Sequence, residues 1–359
     1  MAEVTTPPPK QSFVRRILGL CFIDALSGMA MGLFSSLIIG VILNQFLTML
    51  GLQNLAFAQA IIRHTGAASP VIGAAIGVAI AFVLKAPPLV IYSTAAAAAI
   101  GYAASAGGVS AGPLGAYLSA LACIGAGSFL SGKTRLDILL LPAAGILAGA
   151  VVGTLAGPPL AALMRGLGNL INQMTQLRPI PMGIAVSAIM GLILTAPISS
   201  AALAIMLGLN GLAGGAATAG CCAHMIGFAV ASFRENGTAG LLAQGLGTSM
   251  LQVPNILKNP RILLPAIGAS LVTGPLATAV FKLENSPLGS GMGTSGLVGP
   301  LTTWITMSNS EYSGALLVIS IVLLHFLWPA LIALGISELL RRFRWIKPGD
   351  MSLNLGQTP

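Results

Sequence analysis

Residues 284–300 read Glu-Asn-Ser-Pro-Leu-Gly-Ser-Gly-Met-Gly-Thr-Ser-Gly-Leu-Val-Gly-Pro, and this stretch decides the fold of the chain. A carboxylate, Glu284, opens a run rich in glycine and proline, which disfavour regular helices. Long apolar stretches surround the run. Irregular backbone at membrane depth is tolerated only where it is buried in protein or lines a cavity. The stretch therefore predicts a re-entrant loop beside a ligand pathway. The carboxylate at the start of this loop points to function, because a charged group within a membrane costs free energy.

The composition places the whole chain in a membrane. Charged residues make up 7% and hydrophobic residues 55% of the 359 residues, whereas soluble domains have about 25% and 45–50%. The 45 glycines and the alanine run 95–99 suit close helix packing in lipid. The net charge of +9 does not indicate nucleic-acid binding, because membrane proteins concentrate Lys and Arg in cytoplasmic loops.

Charge-free windows predict the membrane spans. A transmembrane helix needs about 20 apolar residues, so the longest windows, such as 25–62 and 179–233, hold two spans each or a span plus a hairpin. We expect an all-α polytopic fold with about ten transmembrane helices and two re-entrant hairpins. Arg15 and Arg16 precede the first span and Arg341 follows the last. Both termini are therefore expected in the cytoplasm.

An amphipathic segment divides the chain. Apolar residues in 160–178 follow helical spacing, and Arg165, Asn169 and Asn172 lie on the other side. This pattern predicts an interfacial helix linking two halves, although a short polar-faced span would give the same pattern. The expected organisation is then given by five ranges: a cytoplasmic tail 1–16, a scaffold and dimer-interface half 17–159, the linker 160–178, a substrate-binding half 179–340 and a cytoplasmic tail 341–359.

A short internal similarity predicts a further hairpin, earlier in the chain than the first quoted stretch. Residues 195–201 and 285–291 share a proline followed by small polar residues, with Pro197 and Pro287 ninety positions apart. Paired Gly/Pro-interrupted apolar segments point to transporter sites, although seven residues could also match by chance. We expect hairpins at 195–210 and 284–300 whose tips share a cavity.

Three blocks carry a resemblance to a known family. Residues 234–255 (RENGTAGLLAQGLGTSMLQVPN), 281–300 (FKLENSPLGSGMGTSGLVGP) and 195–229 resemble segments of the EIIC-like membrane proteins of the bacterial phosphotransferase system. The similarity is closest to a stand-alone branch labelled toxin or perfringolysin regulators.

The resemblance implies a fold like that of the glucose superfamily of EIIC proteins, in the bacterial inner membrane. It further implies a homodimer formed by the N-terminal halves and a sugar held between two hairpins in a C-terminal half that moves as a body. Because the membrane part uses up the length of the chain, we expect no fused phosphoryl-carrying domain and, instead, separate cytoplasmic carrier subunits. The family's glutamate on the second hairpin corresponds to Glu284 and its membrane histidine to His224.

Glu284 is the candidate catalytic residue. Its carboxylate could accept hydrogen bonds from two sugar hydroxyls and take the proton of the hydroxyl that becomes phosphorylated. Asn285 and Ser286 would add directional polar groups as substrate-binding residues. The alternative is an interfacial Lys282–Glu284 pair that only ends a helix.

His224 is a candidate substrate-binding residue. It precedes Glu235 by eleven residues, which is three helical turns and predicts a shared face. A neutral imidazole offers one donor and one acceptor to a hydroxyl ligand. The alternative is a histidine bonded to a carbonyl of a neighbouring helix, the role that we expect for His325.

The remaining candidates are uncharged. Gln244, Thr248, Gln252 and Asn255 recur at spacings of four, four and three, which predicts one polar helical stripe. Such a stripe could line a polyol site or hold helices together. The first hairpin adds the substrate-binding candidates Ser199, Ser200 and Asn210.

The sequence contains no pattern typical of a cofactor or a metal site. Its three histidines and four cysteines lack ligand spacing, and no P-loop is present. Three functions remain open: a sugar-translocating EIIC subunit, a membrane sensor that has lost phosphoryl transfer, and a facilitator for a small polar solute. At most, the chain supplies the membrane component of a sugar phosphotransferase.

Overall fold

A computed structural model describes residues 19–66, 69–106, 109–133, 136–308 and 314–353. Over these ranges the protein is helical, apart from two-residue strands β1 (Ser105–Ala106) and β2 (Val109–Ser110). The strands pair antiparallel, with Ser105 opposite Ser110. The all-α fold class is therefore confirmed for the described part of the chain.

The N-terminal half is a bundle of apolar helices. Its α-helices are α1 (Ala25–Leu33), α2 (Ile39–Met49), α3 (Ala56–Thr65), α4 (Pro70–Val83), α5 (Pro88–Ala103), α6 (Gly112–Leu130) and α7 (Asp137–Thr175). Two π-helical segments, Leu20–Asp24 and Phe34–Ile38, adjoin α1. Prolines open α4 and α5, as the first helical turn allows, and Ser69 caps α4 by accepting from the Val71 amide at 3.3 Å.

The C-terminal half consists of shorter helices joined by breaks. Its α-helices are α8 (Pro179–Thr195), α9 (Ser200–Met206), α10 (Gly211–Ala231), α11 (Phe233–Leu242), α12 (Val253–Lys258), α13 (Leu264–Pro275), α14 (Pro287–Ser290), α15 (Val298–Met307), α16 (Gly314–Val322) and α17 (Trp328–Arg342). π-helical segments occur at Ala243–Gly247, Leu276–Val280 and Leu323–Leu327, and 3₁₀ turns at Ser249–Gln252, Pro260–Leu263 and Ser295–Leu297.

The predicted linker is not a separate helix. Residues 160–175 continue α7, which runs unbroken for 39 residues despite three internal prolines. At 1.5 Å per residue, such a helix is about twice as long as a bilayer core is thick. The polar face of 160–175 therefore belongs to the end of a long helix.

The two halves contain different buried clusters, and the division into halves remains a prediction. One buried cluster unites α1, α4, α5 and α6, and a second unites α8, α9 and α10 with the end of α7. Met250, Leu251 and Val253 come from the C-terminal half and pack into the first cluster. Residues 249–253 thus form a contact between the halves.

Close contacts fix the directions of the central helices. A Cβ on Gly220 would lie 2.0 Å from the Ser187 carbonyl, and one on Gly191 would lie 2.4 Å from the His224 ring. Later residues of α8 thus meet later residues of α10, so the two helices run parallel. Because α8 and α10 run parallel, the residues between them, 196–210 with α9, must return along α8. The turning unit therefore spans 179–210, and α8 is its first arm.

Two further segments also return to their starting ends. The backbone nitrogen of Glu284 lies 3.2 Å from Sδ of Met307, so the last hairpin, residues 284–307, begins and ends at one place. The middle hairpin, residues 233–258, turns at Thr248, whose φ of −158° and ψ of 141° interrupt the helix. Hence the predicted stripe from Gln244 to Asn255 does not lie on one helix. Nor does His224 share a helix with Glu235, because a turn at Ser232 separates α10 from α11.

The count of membrane spans remains a prediction. Six described helices are long and apolar enough to cross a membrane, or up to seven if α3 and α4, bent by 60°, form one span. Two shorter apolar helices, α5 and α8, add to these. The protein is therefore a polytopic membrane protein, and much of its remaining apolar length lies in short, broken helices.

A candidate solute cavity between the two halves

The cavity lies where the first, middle and last hairpins meet the N-terminal half. The first hairpin is residues 179–210, and the other two are those defined above. The empty volume is about 480 Å³, which includes space open to solvent. The walls from the C-terminal half are Leu194, Ile198, Ser199, Ser200, Ala201, Gly247, Thr248, Met250, Gly291, Met292 and Ser295. The opposite wall is apolar and consists of Leu33, Leu37, Ile38 and Pro113.

Four residues that carry hydroxyl groups line this cavity. Ser200 Oγ donates to the Gly291 carbonyl at 2.6 Å, and Thr248 Oγ1 accepts from the Met250 amide at 3.1 Å. Ser295 is only 3% exposed, and its Oγ has no hydrogen-bond partner within the described ranges. Ser199 completes the set. Since a buried hydroxyl without a partner is costly, Ser295 is the group that most needs a ligand.

The hairpins approach closely because glycines form their contacts. A Cβ on Gly291 would lie 2.3 Å from the Ser200 carbonyl oxygen, and one on Gly247 would lie 2.3 Å from the Phe34 ring. Thr294 Oγ1 donates to the carbonyl of Gly245, which joins the last hairpin to the middle one. Substituting larger side chains at these glycines would therefore separate the walls of the cavity.

His224 lies behind the cavity wall. It is fully buried, and Thr195 Oγ1 lies 2.9 Å both from its Nδ1 and from Ser249 Oγ. Its Nε2 has no described partner and packs against Gly191. The imidazole thus contacts Thr195 and, through it, Ser249, and these two residues follow the cavity residues Leu194 and Thr248 in the chain. In His325, by contrast, neither ring nitrogen has a described partner, so the carbonyl bond expected for it is absent.

Glu284 does not line the cavity. Its side chain is exposed at the start of the last hairpin, and the two described ion pairs, Arg234–Glu338 and Arg341–Glu235, do not include a Lys282–Glu284 pair. The next residue, Asn285, is fully buried and donates to Thr218 Oγ1 at 2.7 Å and to the Gly299 carbonyl at 3.1 Å. Asn285 therefore holds the hairpin in place.

Ser286 also serves the hairpin itself. Its amide donates to Asn285 Oδ1 at 2.8 Å, and its carbonyl accepts from Ser290 Oγ at 2.7 Å. Asn210 is exposed in a different, more polar pocket that it shares with Asn172 and Thr175. The structure thus brings Ser199, Ser200 and Thr248 together and leaves Ser286 and Asn210 apart from them.

The three amides of the predicted stripe bind one another and the C-terminal segment. Gln252 Nε2 donates to Gln244 Oε1 and to the Met351 carbonyl, both at 2.9 Å. Asn255 Nδ2 donates to Gln252 Oε1 at 2.9 Å and to the Ser352 carbonyl at 2.8 Å. Only Thr248 of the four stripe residues faces the cavity.

Sequence reasoning missed Ser295 and the apolar wall. Ser295 stands in the quoted Gly-rich run, so its neighbours marked the region but not the residue. Leu33, Leu37 and Ile38 have no polar signature, and only tertiary packing brings them here. In the described residues no group of three His, Cys, Asp or Glu could hold a metal ion.

The sequence matches the family described as "Phosphotransferase system, EIIC" over residues 23–353. Neither the comparison with curated proteins nor the comparison with solved structures found a match.

Proposed function

The chain belongs to the EIIC family of the phosphotransferase system, and from this premise we propose that it binds a sugar or similar polyhydroxylated solute in the cavity described above and translocates it. The proposal rests most directly on Ser295. Ser295 lines a cavity that all three hairpins share, and its buried hydroxyl has no hydrogen-bond partner among the described residues. A solute hydroxyl placed there would satisfy it.

The two walls suit the two kinds of surface that a sugar presents. Hydroxyls of Ser199, Ser200, Thr248 and Ser295 can exchange hydrogen bonds with solute hydroxyls, since each can donate and accept. The apolar wall of Leu33, Leu37 and Ile38 suits the C–H face of a sugar ring. A mostly apolar pocket with a few convergent polar groups is typical of small-molecule sites.

The separate cores support movement of the C-terminal half. Because the cavity lies between two bodies with different buried clusters, displacement of one against the other would open it and leave most of each cluster intact. The residues of 249–253, which pack across the boundary, would slide or detach in such a movement.

Phosphorylation would require separate cytoplasmic carrier subunits. Glu284 remains the proposed base for the hydroxyl that receives the phosphoryl group. Because its side chain is exposed in this arrangement, the role requires the last hairpin to rearrange when solute and carrier are bound.

A binding experiment on purified protein tests the proposal. D-glucose, N-acetyl-D-glucosamine, D-fructose and D-mannitol are screened by thermal shift, because ligand binding raises apparent stability. The tightest binder is then titrated calorimetrically against wild type and Ser295→Ala. Loss of one hydrogen bond to the solute should weaken binding by about 1 kcal/mol, or about fivefold.

Ser119→Ala is the matched control. Ser119 is also fully buried with an unpartnered hydroxyl, but it lies in α6, away from the cavity. Without solute, both variants should be at least as stable as wild type, because each loses an unsatisfied polar group. Equal affinities for Ser295→Ala and wild type would remove the main support for this cavity.

A further inference from the structure

The C-terminal segment, residues 346–353, folds back onto the middle hairpin through its backbone. The Met351 amide donates to Glu235 Oε2 at 2.8 Å, and the Leu353 amide donates to Asn236 Oδ1 at 2.7 Å. Asn236 Nδ2 in turn donates to the Met351 carbonyl at 2.9 Å. Met351 is fully buried, so this segment is part of the folded protein.

A buried charge pair fixes the start of this contact. Arg341 Nη1 donates to Glu235 Oε1 at 3.0 Å, and these side chains are 13% and 9% exposed. Glu235 therefore binds α17 with one carboxylate oxygen and the C-terminal segment with the other. A buried carboxylate with two such donors holds its partners in defined positions.

The same segment braces both arms of the middle hairpin. Gln244 precedes the break at Thr248 and Gln252 follows it, and their side chains are hydrogen-bonded to each other. Gln252 also donates to the Met351 carbonyl, so the brace and the C-terminal segment form one connected network. Gln244 completes it by donating to Ser232 Oγ at 2.8 Å.

The hydrogen bond between Gln244 and Gln252 crosses a break in the helical backbone. Thr248 is extended, so no regular helical hydrogen-bond ladder crosses this position. The relative placement of the arms 243–247 and 249–252 then depends on side-chain contacts. Thr248 lies between these arms and lines the cavity.

We propose that residues 346–353 act as a latch that positions Thr248 in the solute cavity, with Asn236 and Gln252 as positioning residues. The consequence for solute binding rests on the proposed function, whereas the consequence for the hairpin does not.

Hydrogen exchange tests the latch without any solute. Asn236→Ala removes two hydrogen bonds to the latch and does not touch the cavity. Amides in 346–353 and in 243–252 of the full chain should then exchange at least about fivefold faster. The reason is that local opening of either segment no longer has to break the hydrogen bonds between Asn236 and the latch. Asn169→Ala, an exposed asparagine on α7, should leave both segments unchanged.

A double-mutant cycle tests whether the latch acts through Thr248. The probe is the tightest binder of the four compounds screened above. Asn236→Ala alone should weaken its binding about fivefold, and Thr248→Val alone by a similar factor. If the latch acts by placing Thr248, the combined variant should bind about as weakly as Thr248→Val. Independent effects would instead multiply to about 25-fold.

The outcomes separate the two proposals. Unchanged exchange in 243–252 of Asn236→Ala overturns the latch, and multiplying effects overturn its action through Thr248. If wild type binds none of the four compounds, the proposed function fails on its own. The exchange experiment still decides then whether the latch holds the hairpin.

Discussion

At the scale of single residues, the site is shaped by contacts that only glycine permits. Gly191 is one such residue, because the His224 ring packs directly on it and a Cβ there would lie 2.9 Å from Nε2. The imidazole is in turn held by Thr195, which also contacts Ser249 beside the cavity. The position of His224 thus depends on the absence of a side chain one helix away.

Gly191→Ala should therefore destabilise the protein. Overpacking of this kind costs about 1–3 kcal/mol, because the ring or α8 must shift. Gly125→Ala is the control, since a Cβ at Gly125 meets nothing within 4 Å and alanine favours a helix interior by up to about 1 kcal/mol. Thermal unfolding in detergent should lower the Tm of the first variant and keep or raise that of the second. A wild-type Tm for Gly191→Ala would mean that the ring has room to move.

Glu284→Gln should separate binding from phosphoryl transfer. Because the Glu284 side chain is exposed and does not line the cavity, solute affinity without carrier subunits should change less than about twofold. Carrier-dependent phosphorylation of the solute should fall about 10²-fold or more if the carboxylate is the base. Glu338→Gln, which disrupts only a surface ion pair, serves as the control. Full phosphorylation activity in Glu284→Gln would exclude the base role.

At the scale of elements, breaks in helices bring the site together. The middle hairpin turns at Thr248, and the last hairpin turns through Gly296 and Leu297, whose φ values are +53° and +61°. These breaks bring Thr248 and Ser295 to one cavity. Discontinuous helices meeting at mid-depth are a recurring basis of transporter sites.

Cysteine labelling should reveal hairpins that open to opposite sides. Glu284→Cys and Ser308→Cys lie at the two ends of the last hairpin and should react with an impermeant maleimide from one side of the membrane. Phe233→Cys and Lys258→Cys, at the two ends of the middle hairpin, should react from the other side, because α10 begins beside Asn285 and ends just before Phe233. All four positions are exposed, and Cys21→Ser reduces the background because the other three native cysteines are buried. Labelling of Glu284→Cys and Ser308→Cys from opposite sides would show that 284–307 is a full span.

The sequence predicted the class of these elements better than their continuity. The membrane setting and the family could be predicted because apolar composition and long signature blocks are local properties. The spacing of Gln244, Thr248, Gln252 and Asn255 fits one helix, yet Gly245 and Gly247 allow a break that spacing alone does not show. Ser199 and Ser200 could be predicted from the segment around Pro197, and both line the cavity. Leu33 could not be predicted there, because its place depends on how the halves pack.

At the scale of the whole molecule, glycines hold the scaffold half together. Gly145, Gly149, Gly153 and Gly157 of α7 are all buried. A Cβ on Gly149 would lie 2.6 Å from Ala97 Cβ, and one on Gly153 would lie 2.1 Å from Ser119 Oγ. This stripe of small residues packs α7 onto α5 and α6 within one chain. The glycine face of α7 is therefore not free to pair with a second subunit.

Dimerisation, which we propose for this protein, must then use another face of α7. Leu147, Val151 and Leu155 recur every four residues and are 66%, 54% and 72% exposed. They form an apolar stripe on the opposite side of the helix from the glycines. In the proposed homodimer we expect this stripe to pack against its copy in the partner protomer.

Cross-linking in native membranes tests this arrangement. Leu147→Cys and Leu155→Cys should each give disulfide-linked dimers on mild oxidation, because residues on a two-fold symmetric stripe meet their own copies. Leu331→Cys on α17, where the native leucine is 54% exposed, is the control for random collision in the lipid and should remain monomeric. If Leu331→Cys forms dimers and the α7 variants do not, subunits pair through the C-terminal half. That half would then be held at an interface, and movement of it as a body against a fixed scaffold would have to be abandoned.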